Sequence, residues 1–308
     1  MIELIKNQTK FNFTKYFTIT SFVSAAVVIS SLLLLFTKMK YGVDFSGGAE
    51  IQIKFEQNVS VSEVRKTVEA AGYANSTVQR IGEDQDNEIL VKVQAAKEDL
   101  SKIEANLEKT LSNKFKAQIR KVDIVGPKAG AELRLSGFKA MGYALLAIMI
   151  YIGLRFDFKY APGAIVALFH DVSIILGIFA LTGTEFTLQT VAALLAVIGY
   201  SVNDTVIVYD RVRENEEKYP GDGLAANINR AINDTLSRTI LTSGTTLFVS
   251  LAMFIYGGPA IHSFFFAITL GVLIGTYSSI FIAAPVTLFA QRFIDEEETL
   301  GQRELSSH

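Results

Sequence analysis

Residues 16–37 read YFTITSFVSAAVVISSLLLLFT, and a lysine stands on each side, Lys15 and Lys38. About 20 mostly apolar residues in a helix are enough to cross the bilayer core. The run is longer than the apolar core of an ordinary signal peptide, and no small-x-small cleavage site precedes Lys38. The stretch therefore predicts an uncleaved transmembrane helix.

Five further apolar runs follow, each long enough to cross a bilayer. They cover residues 137–154, 161–181, 186–208, 239–256 and 263–290. Lysine and arginine flank the connections on one side of these runs, whereas the short connections around Gly183 and Gly257 carry neither. Positive residues favour the cytoplasmic side. The pattern predicts six spans with both termini in the cytoplasm.

Charge is distributed unevenly along the 308 residues, of which 50% are hydrophobic and 19% charged. Soluble proteins carry about 25% charged residues. Residues 41–134 hold 29 of the 60 Asp, Glu, Lys and Arg, and residues 239–290 hold none. This pattern excludes a single soluble enzyme domain, a disordered chain and a secreted disulfide scaffold. The net charge of −2 does not favour nucleic acid, and the absence of cysteine excludes thiol catalysis and cysteine-based metal sites.

The charged insert alternates between strand and helix signals. Ser60 and Glu63 form a capping-box pattern before one helical face, and a second helical stripe begins at Leu100. Strands are predicted at 49–55, 77–81, 88–93 and 118–125, with a turn at 83–87. The order β-α-β-β-α-β is typical of a ferredoxin-like domain. No catalytic constellation occurs in it, so we do not expect an enzyme.

The predicted fold class is an α-helical membrane protein with six transmembrane helices and one α+β ferredoxin-like extracytoplasmic domain inserted between helices 1 and 2. An apolar residue every fourth position over 224–236 predicts an amphipathic helix on the inner membrane surface. The predicted divisions are a cytoplasmic N-terminus at 1–15, helix 1 at 16–37, a periplasmic domain at 38–134, helices 2–6 at 135–290 with a cytoplasmic loop at 209–237, and a cytoplasmic tail at 291–308.

Two opposite charges are predicted inside the membrane at similar depth. Asp204 precedes Asp210 by six residues, about 9 Å of helix, and Arg238 follows Asp234 by four, about 6 Å. An ionisable residue inside a span is a functional candidate, because its insertion is costly. A carboxylate balanced between burial and a partner charge suits a proton carrier. Two alternatives stay open: an ion pair that only joins two helices, or charges that reach interfacial water.

Asp171 is a third intramembrane candidate, beside His170 in the third span. A proton-relay role and a purely structural, hydrogen-bonded carboxylate are both compatible with the sequence. One histidine beside one aspartate is a weak metal signal, so no metal site is predicted. Polar residues that either hydrate a proton path or join the helices are Ser201, Asn203, Thr205, Thr239, Thr242 and Ser243.

Several motifs, taken in order, resemble one family over nearly the whole chain. They are Val43-Asp-Phe-Ser-Gly-Gly48 after the first span, 192–205 with 209–215, 236–243, and 271–280 with Pro285. Together they resemble the SecD/SecF family of the resistance-nodulation-division superfamily. The resemblance marks Asp44, Phe45, Gly47 and Gly48 as the motif after helix 1, and Asp204 and Arg238 as the family's membrane aspartate and arginine.

The resemblance implies a role in protein export at the bacterial inner membrane, without a cofactor. In this family SecF pairs with SecD beside the SecYEG channel, with YajC as a further partner, and the proton motive force assists export of unfolded preproteins. An alternative is a passive scaffold that binds unfolded chains without proton coupling. A half-transporter for small-molecule efflux ranks last, because the insert of roughly 90 residues is too small for its substrate-binding domain.

Overall fold

The described part of the chain comprises residues 9–74, 76–81, 86–94, 100–291 and 293 of a computed structural model. Most of the predicted turn at 83–87 lies outside it, as do residues 1–8 and nearly all of the predicted tail. In chain order the elements are α1 (Phe17–Lys38), β1 (Lys40–Tyr41), α2 (Val43–Ser46), β2 (Gly48–Phe55), α3 (Val61–Ala70), β3 (Ser76–Ile81), β4 (Glu88–Gln94), α4 (Leu100–Phe115), β5 (Ala117–Val125), α5 (Pro127–Arg155), α6 (Ala161–Thr182), β6 (Glu185–Phe186), α7 (Leu188–Lys218), α8 (Leu224–Tyr256) and α9 (Pro259–Ser278).

Six of these helices are long and apolar enough to cross a membrane, as the sequence predicted. They are α1, α5, α6, α7, α8 and α9, the last of which continues through a π-helical turn at Ser279–Ala283 and on to Gln291. The helix ends on the side of the inserted sheet are called the sheet side below, and the opposite ends the charged side.

Two helix boundaries differ from the predicted ones. Helix α5 begins at Pro127, ten residues before the predicted span, because proline suits the first turn of a helix. The 209–237 segment is a helical hairpin in which only residues 219–223 are not helical.

The predicted surface helix at 224–236 is not a separate element, because no glycine or proline interrupts α8 before Gly244. Its Ile228 and Ile232 are buried in the bundle core instead of facing a membrane surface.

The insert folds into a four-stranded sheet in the order β3-β4-β2-β5, with every neighbouring pair antiparallel. Ser60 caps α3 by accepting the Glu63 backbone N–H, as the capping-box pattern predicted. Ile51, Val64 and Leu107 are fully buried together between the sheet and its helices. The predicted order of strands and helices is therefore present, and this domain has a core of its own.

Short connections attach the sheet domain to the bundle. Only Met39 separates α1 from β1, and only Gly126 separates β5 from α5. Strand β1 pairs in parallel with β6, at the loop between α6 and α7. Thr77 in β3 donates a 2.7 Å hydrogen bond to Glu185 in that same loop. The sheet domain thus rests directly on the sheet-side ends of the helices.

Helices α6, α7 and α9 form the centre of the bundle, and α1, α5 and α8 are mostly exposed around it. Gly271 and Gly275 of α9 let α7 approach closely. A Cβ at Gly275 would lie 3.1 Å from the Ser201 side chain, and one at Gly271 would overlap Val197. Small residues at this interface bring polar groups of α7 and α9 within hydrogen-bonding reach.

Lys92 of β4 links the sheet to the bundle, lying 2.9 Å from Glu50 and 3.8 Å from Glu185. Burial lowers its pKa, but the hydrogen bond and charge of Glu50, with the charges of Glu185 and Asp44, raise the pKa of Lys92 above 10.5. Since the folded-state pKa is the higher one, Lys92 stabilises the fold below the unfolded pKa. That contribution is lost as the pH rises through the folded pKa.

We expect the sheet domain of Lys92→Met to lose less stability than that of the wild type when the pH is raised into the alkaline range. The measurement is thermal unfolding of the full chain at about pH 8 and at about pH 11, a range that brackets the ordinary lysine pKa. Lys116→Met is the matched control, since the Lys116 side chain is 77% exposed. Equal alkaline losses in wild type and in Lys92→Met would contradict the role of Lys92.

Candidate functional site

Asp204 lies in the interior of the bundle, where α7, α8 and α9 meet, and is 1% exposed. Its Oδ2 accepts a 3.3 Å hydrogen bond from Ser243 of α8, which in turn accepts a 2.7 Å bond from Thr276 of α9. Its Oδ1 has no hydrogen-bond partner in the described structure. A buried carboxylate with so few donors is costly in its charged form. The contacts of Asp204 therefore leave one of its carboxylate oxygens without a compensating donor.

Arg238 does not pair with Asp204 in the described structure. It is exposed on α8 and lines a groove of about 540 Å³ together with Asn203 and Asp210. Thr239 and Ser243, one turn apart on α8, occupy the buried face of the helix. Successive residues of a helix are rotated by about 100°, so the side chain of Arg238, the residue before Thr239, lies off that buried face. The predicted similar depth therefore gives no ion pair, because the two side chains face different directions, but the charge of Arg238 still acts on Asp204.

Asp171 of α6 has three hydrogen-bond partners and is 1% exposed. Its Oδ2 accepts from Ser201 of α7 at 2.6 Å and from Ser278 of α9 at 2.8 Å. Its Oδ1 lies 2.9 Å from Nδ1 of the neighbouring His170. Unlike Asp204, this carboxyl group has partners on both oxygens, and it joins the three central helices.

The six predicted polar residues serve different contacts. Ser243 reaches Asp204 and Ser201 reaches Asp171, whereas Thr205 bonds to the Ser201 carbonyl and Thr242 to the Arg238 carbonyl. Thr239 is buried and Asn203 is exposed in the Arg238 groove.

Two contributors of α9, Thr276 and Ser278, were not predicted as site residues. The signal was present, because residues 275–280 are polar for a membrane span. The polarity of this stretch did not indicate which side chains Thr276 and Ser278 contact.

The motif after α1 forms a junction between the sheet domain and α7. Asp44 of α2 accepts a 2.9 Å hydrogen bond from the Leu188 backbone N–H, at the start of the helix that carries Asp204. Phe45 is buried against Phe186, with ring centroids 5.2 Å apart. Gly48 begins β2 with φ +146°. The junction therefore connects the start of α7 to the first strand of the sheet.

Replacing Asp44 by alanine is expected to lower stability by about 0.5–2 kcal/mol, because an unpaired N–H is left at the start of α7. Asp44→Asn keeps the acceptor and is expected to cost less. Hydrogen exchange at the Leu188 amide of the full chain measures the effect directly. Unchanged protection of that amide in Asp44→Ala would contradict the assignment.

Six apolar helices around buried carboxylates define a multi-pass membrane protein. Within the described ranges, no three His, Cys, Asp or Glu residues lie together as a metal ion would require.

Two family descriptions match the chain: "Protein export membrane protein SecD/SecF, C-terminal" over residues 105–292, and "SecD/SecF GG Motif" over residues 32–59. The chain is 40% identical over 295 residues to the protein translocase subunit SecF of Rickettsia prowazekii (strain Madrid E), which covers 94% of each. It is 41% identical over 276 residues to the subunit SecF of Desulfurispirillum indicum, which covers 87% of each.

Two solved structures are also similar. The crystal structure of SecDF from Thermus thermophilus, a translocon-associated membrane protein, superposes with a TM-score of 0.79 at 32% identity. That match covers 95% of this chain and 40% of the SecDF chain. SecDF in a super-membrane-facing form gives a TM-score of 0.70 at 34% identity, over 97% of this chain and 41% of that one. The chain belongs to the SecD/SecF family of protein export membrane proteins, and it is a multi-pass protein of the inner membrane.

Proposed function

We propose that this chain is a proton-coupled, non-enzymatic subunit of a protein translocase. In this proposal it pairs with SecD and works beside SecYEG, with YajC as a further partner, on unfolded preproteins. Asp204 carries the proton and Arg238 tunes its release. Both termini are cytoplasmic, and the sheet domain is periplasmic. Its strand and helix order and its antiparallel pairing support a ferredoxin-like assignment.

The observation that carries the proposal is the environment of Asp204. One carboxylate oxygen is unpartnered among the described residues, and the other has a single serine donor. Asp171 offers the contrast, because Ser201 and Ser278 donate to its Oδ2 and its Oδ1 lies 2.9 Å from His170 Nδ1. Of the two buried carboxylates, Asp204 is therefore the one whose protonation costs fewer interactions.

A mechanical route links Asp204 to the sheet domain. Sixteen residues of one helix, about 24 Å, separate Asp204 from Leu188. Asp44 and the capping box of Thr187 and Thr190 fix the start of that helix at the junction with β2. A displacement of α7 on protonation would therefore reach the sheet domain without an intervening flexible loop.

The energy of one proton sets a limit on each step. Moving one charge through 100 mV is worth about 2.3 kcal/mol, which shifts a two-state equilibrium roughly fifty-fold. This is enough to switch a conformation and too little to move a whole preprotein. The proposal therefore requires a repeated cycle.

A scaffold without proton coupling is the second candidate. It is favoured by the full hydrogen bonding of Asp171, which joins α6, α7 and α9 as a structural contact does. A scaffold needs no titration, so its contribution to export would not depend on the proton gradient.

The two candidates are separated by export into inverted membrane vesicles, with the chain present or absent and the gradient intact or collapsed by a protonophore. Subtracting the export measured in vesicles that lack this chain removes the gradient dependence of the other components. We expect the contribution of the chain to disappear when the gradient is collapsed. A contribution that survives collapse would support the scaffold.

A further inference from the structure

His170 is a buried histidine that has no part in the proposed proton transfer at Asp204. It is 4% exposed, and its Nδ1 lies 2.9 Å from Asp171 Oδ1. Serine hydroxyls from α7 and α9 donate to Oδ2, which leaves Oδ1 for the imidazole. An ionised carboxylate only accepts hydrogen bonds, so an ionised Asp171 requires the hydrogen on Nδ1. In the neutral ring, Nε2 is then the atom with a free lone pair.

Nε2 of His170 has no hydrogen-bond partner in the described structure. The ring lines a cavity of about 190 Å³ between α1, α6 and the continuation of α9, with Ser24 and Ile282 among the other lining residues. Its face stacks on Tyr277, whose hydroxyl lies 2.9 Å from the Ser24 hydroxyl. The lining is mostly aliphatic and aromatic, and the hydroxyls of Ser21 and Ser24 are its polar groups beside the imidazole.

Few titratable groups face this imidazole. Asp171 lies on its own helix and Tyr277 on α9, whereas α7 contributes the Ser201 hydroxyl and α1 contributes serines and aliphatic side chains. Among the residues the structure describes, no lysine or arginine lines the cavity. A proton on Nε2 would form an imidazolium–carboxylate pair, and no other cation would oppose it.

A row of polar groups leads from this pair to the charged side. Ser201, Thr205 and Tyr209 occupy successive turns of α7, all buried. The Tyr209 hydroxyl lies 2.9 Å from that of Thr287 and 3.3 Å from the Ala283 carbonyl oxygen, at the end of the π-helical turn that follows Ser278. Helical turns of this kind occur frequently at functional sites.

The row ends at a surface group. The Tyr209 ring lies 4.8 Å from that of Tyr160, and Tyr160 donates a 2.7 Å hydrogen bond to Glu216, which also pairs with Lys159.

We propose that His170 is a second proton-binding group, that Asp171 is its positioning residue, and that protons reach it from the charged side along this row. The proposal rests on the proposed function for the use of this proton in export. The protonation of His170 itself does not depend on that proposed function. Asp204 faces a different set of partners, so the two sites can be tested separately.

The direct test is nitrogen NMR of the ¹⁵N-imidazole-labelled full chain in lipid bilayers, from about pH 5 to 8, the range where histidine titrates. The chain has three histidines, so His262→Gln and His308→Gln leave His170 as its one imidazole signal. We expect a neutral ring with hydrogen on Nδ1 at the alkaline end, and conversion to imidazolium on acidification. A ring that stays neutral throughout, or one with hydrogen on Nε2, would overturn the proposal. Neither outcome bears on Asp204.

Two replacements then separate proton binding from positioning in the export assay. His170→Asn places an amide N–H near the position of Nδ1 and keeps the donor to Asp171, but it cannot titrate. His170→Gln removes that donor as well. We expect both to flatten the pH profile of export, with His262→Asn unchanged as the matched control. A normal profile in His170→Asn with loss only in His170→Gln would mean that His170 merely holds Asp171.

Discussion

Replacing Asp204 by asparagine is expected to abolish the proton-dependent contribution to export while the protein stays folded. The amide has the same shape and keeps an oxygen acceptor for Ser243, so the free energy of unfolding should change by no more than about 1 kcal/mol. It cannot bind and release a proton at neutral pH. We therefore expect export in cells to fall to the level seen without the chain.

Protein level and co-purification with SecD should be measured alongside export, so that loss of assembly is not mistaken for loss of proton coupling. Asp210→Asn is the matched control, because Asp210 lies six residues later on α7, is 44% exposed and is 3.7 Å from Arg155. Ser243→Ala removes the single donor to Asp204 and leaves the carboxylate titratable. Normal export by Asp204→Asn would mean that the charge is structural, and the scaffold would become the better account.

Gly48→Ala is expected to destabilise the sheet domain by more than about 2 kcal/mol. Two effects add: the backbone has φ +146°, which side chains rarely adopt, and the new Cβ would overlap the Val93 carbonyl oxygen and lie 3.0 Å from Gln94 Cα. The neighbouring strand cannot yield, since Gly48 pairs with Gln94 in the sheet. Relief would require β2 and β4 to separate at the junction.

Two other glycines divide this effect into its parts. Gly72 has φ +104° with open space around it, so Gly72→Ala carries the conformational strain alone. Gly126 has an ordinary φ and open space, so Gly126→Ala should be neutral. Thermal unfolding and protease resistance of the full chain give the ranking. If Gly48→Ala is no worse than Gly72→Ala, the close approach to β4 does not matter.

Much of the architecture follows from composition and periodicity. The six spans are detectable because about 20 apolar residues in succession are rare outside a membrane. The strands and the Ser60 cap follow from short-range patterns that the fold keeps. The two-residue pairing of β1 with β6 has no such pattern, because two residues show no periodicity.

The intramembrane contacts are harder to predict. The depth of a residue along a helix can be counted from the sequence, but the direction in which its side chain points around the helix axis cannot. Similar depth left open whether Asp204 and Arg238 pair, and in the described structure Arg238 faces a groove instead. The partners of Asp171 come from 30 and 107 residues away in sequence, so no local spacing relates them. The polarity of 275–280 was visible in the sequence, but which carboxylate it served depended on the packing of α9 against α6 and α7.

The chain enters the four-stranded sheet through Gly47 and leaves it through Gly126, and these two one-residue connections restrict the motion of the sheet domain. A body held at two nearby points keeps a single free rotation, about the line that joins them. The hydrogen bond from Leu188 to Asp44, three residues before Gly47, ties the first of these connections to the start of α7. A small axial shift of α7 would therefore turn the sheet domain as a lever, and the far edge of the sheet would sweep a larger arc than the helix itself moves.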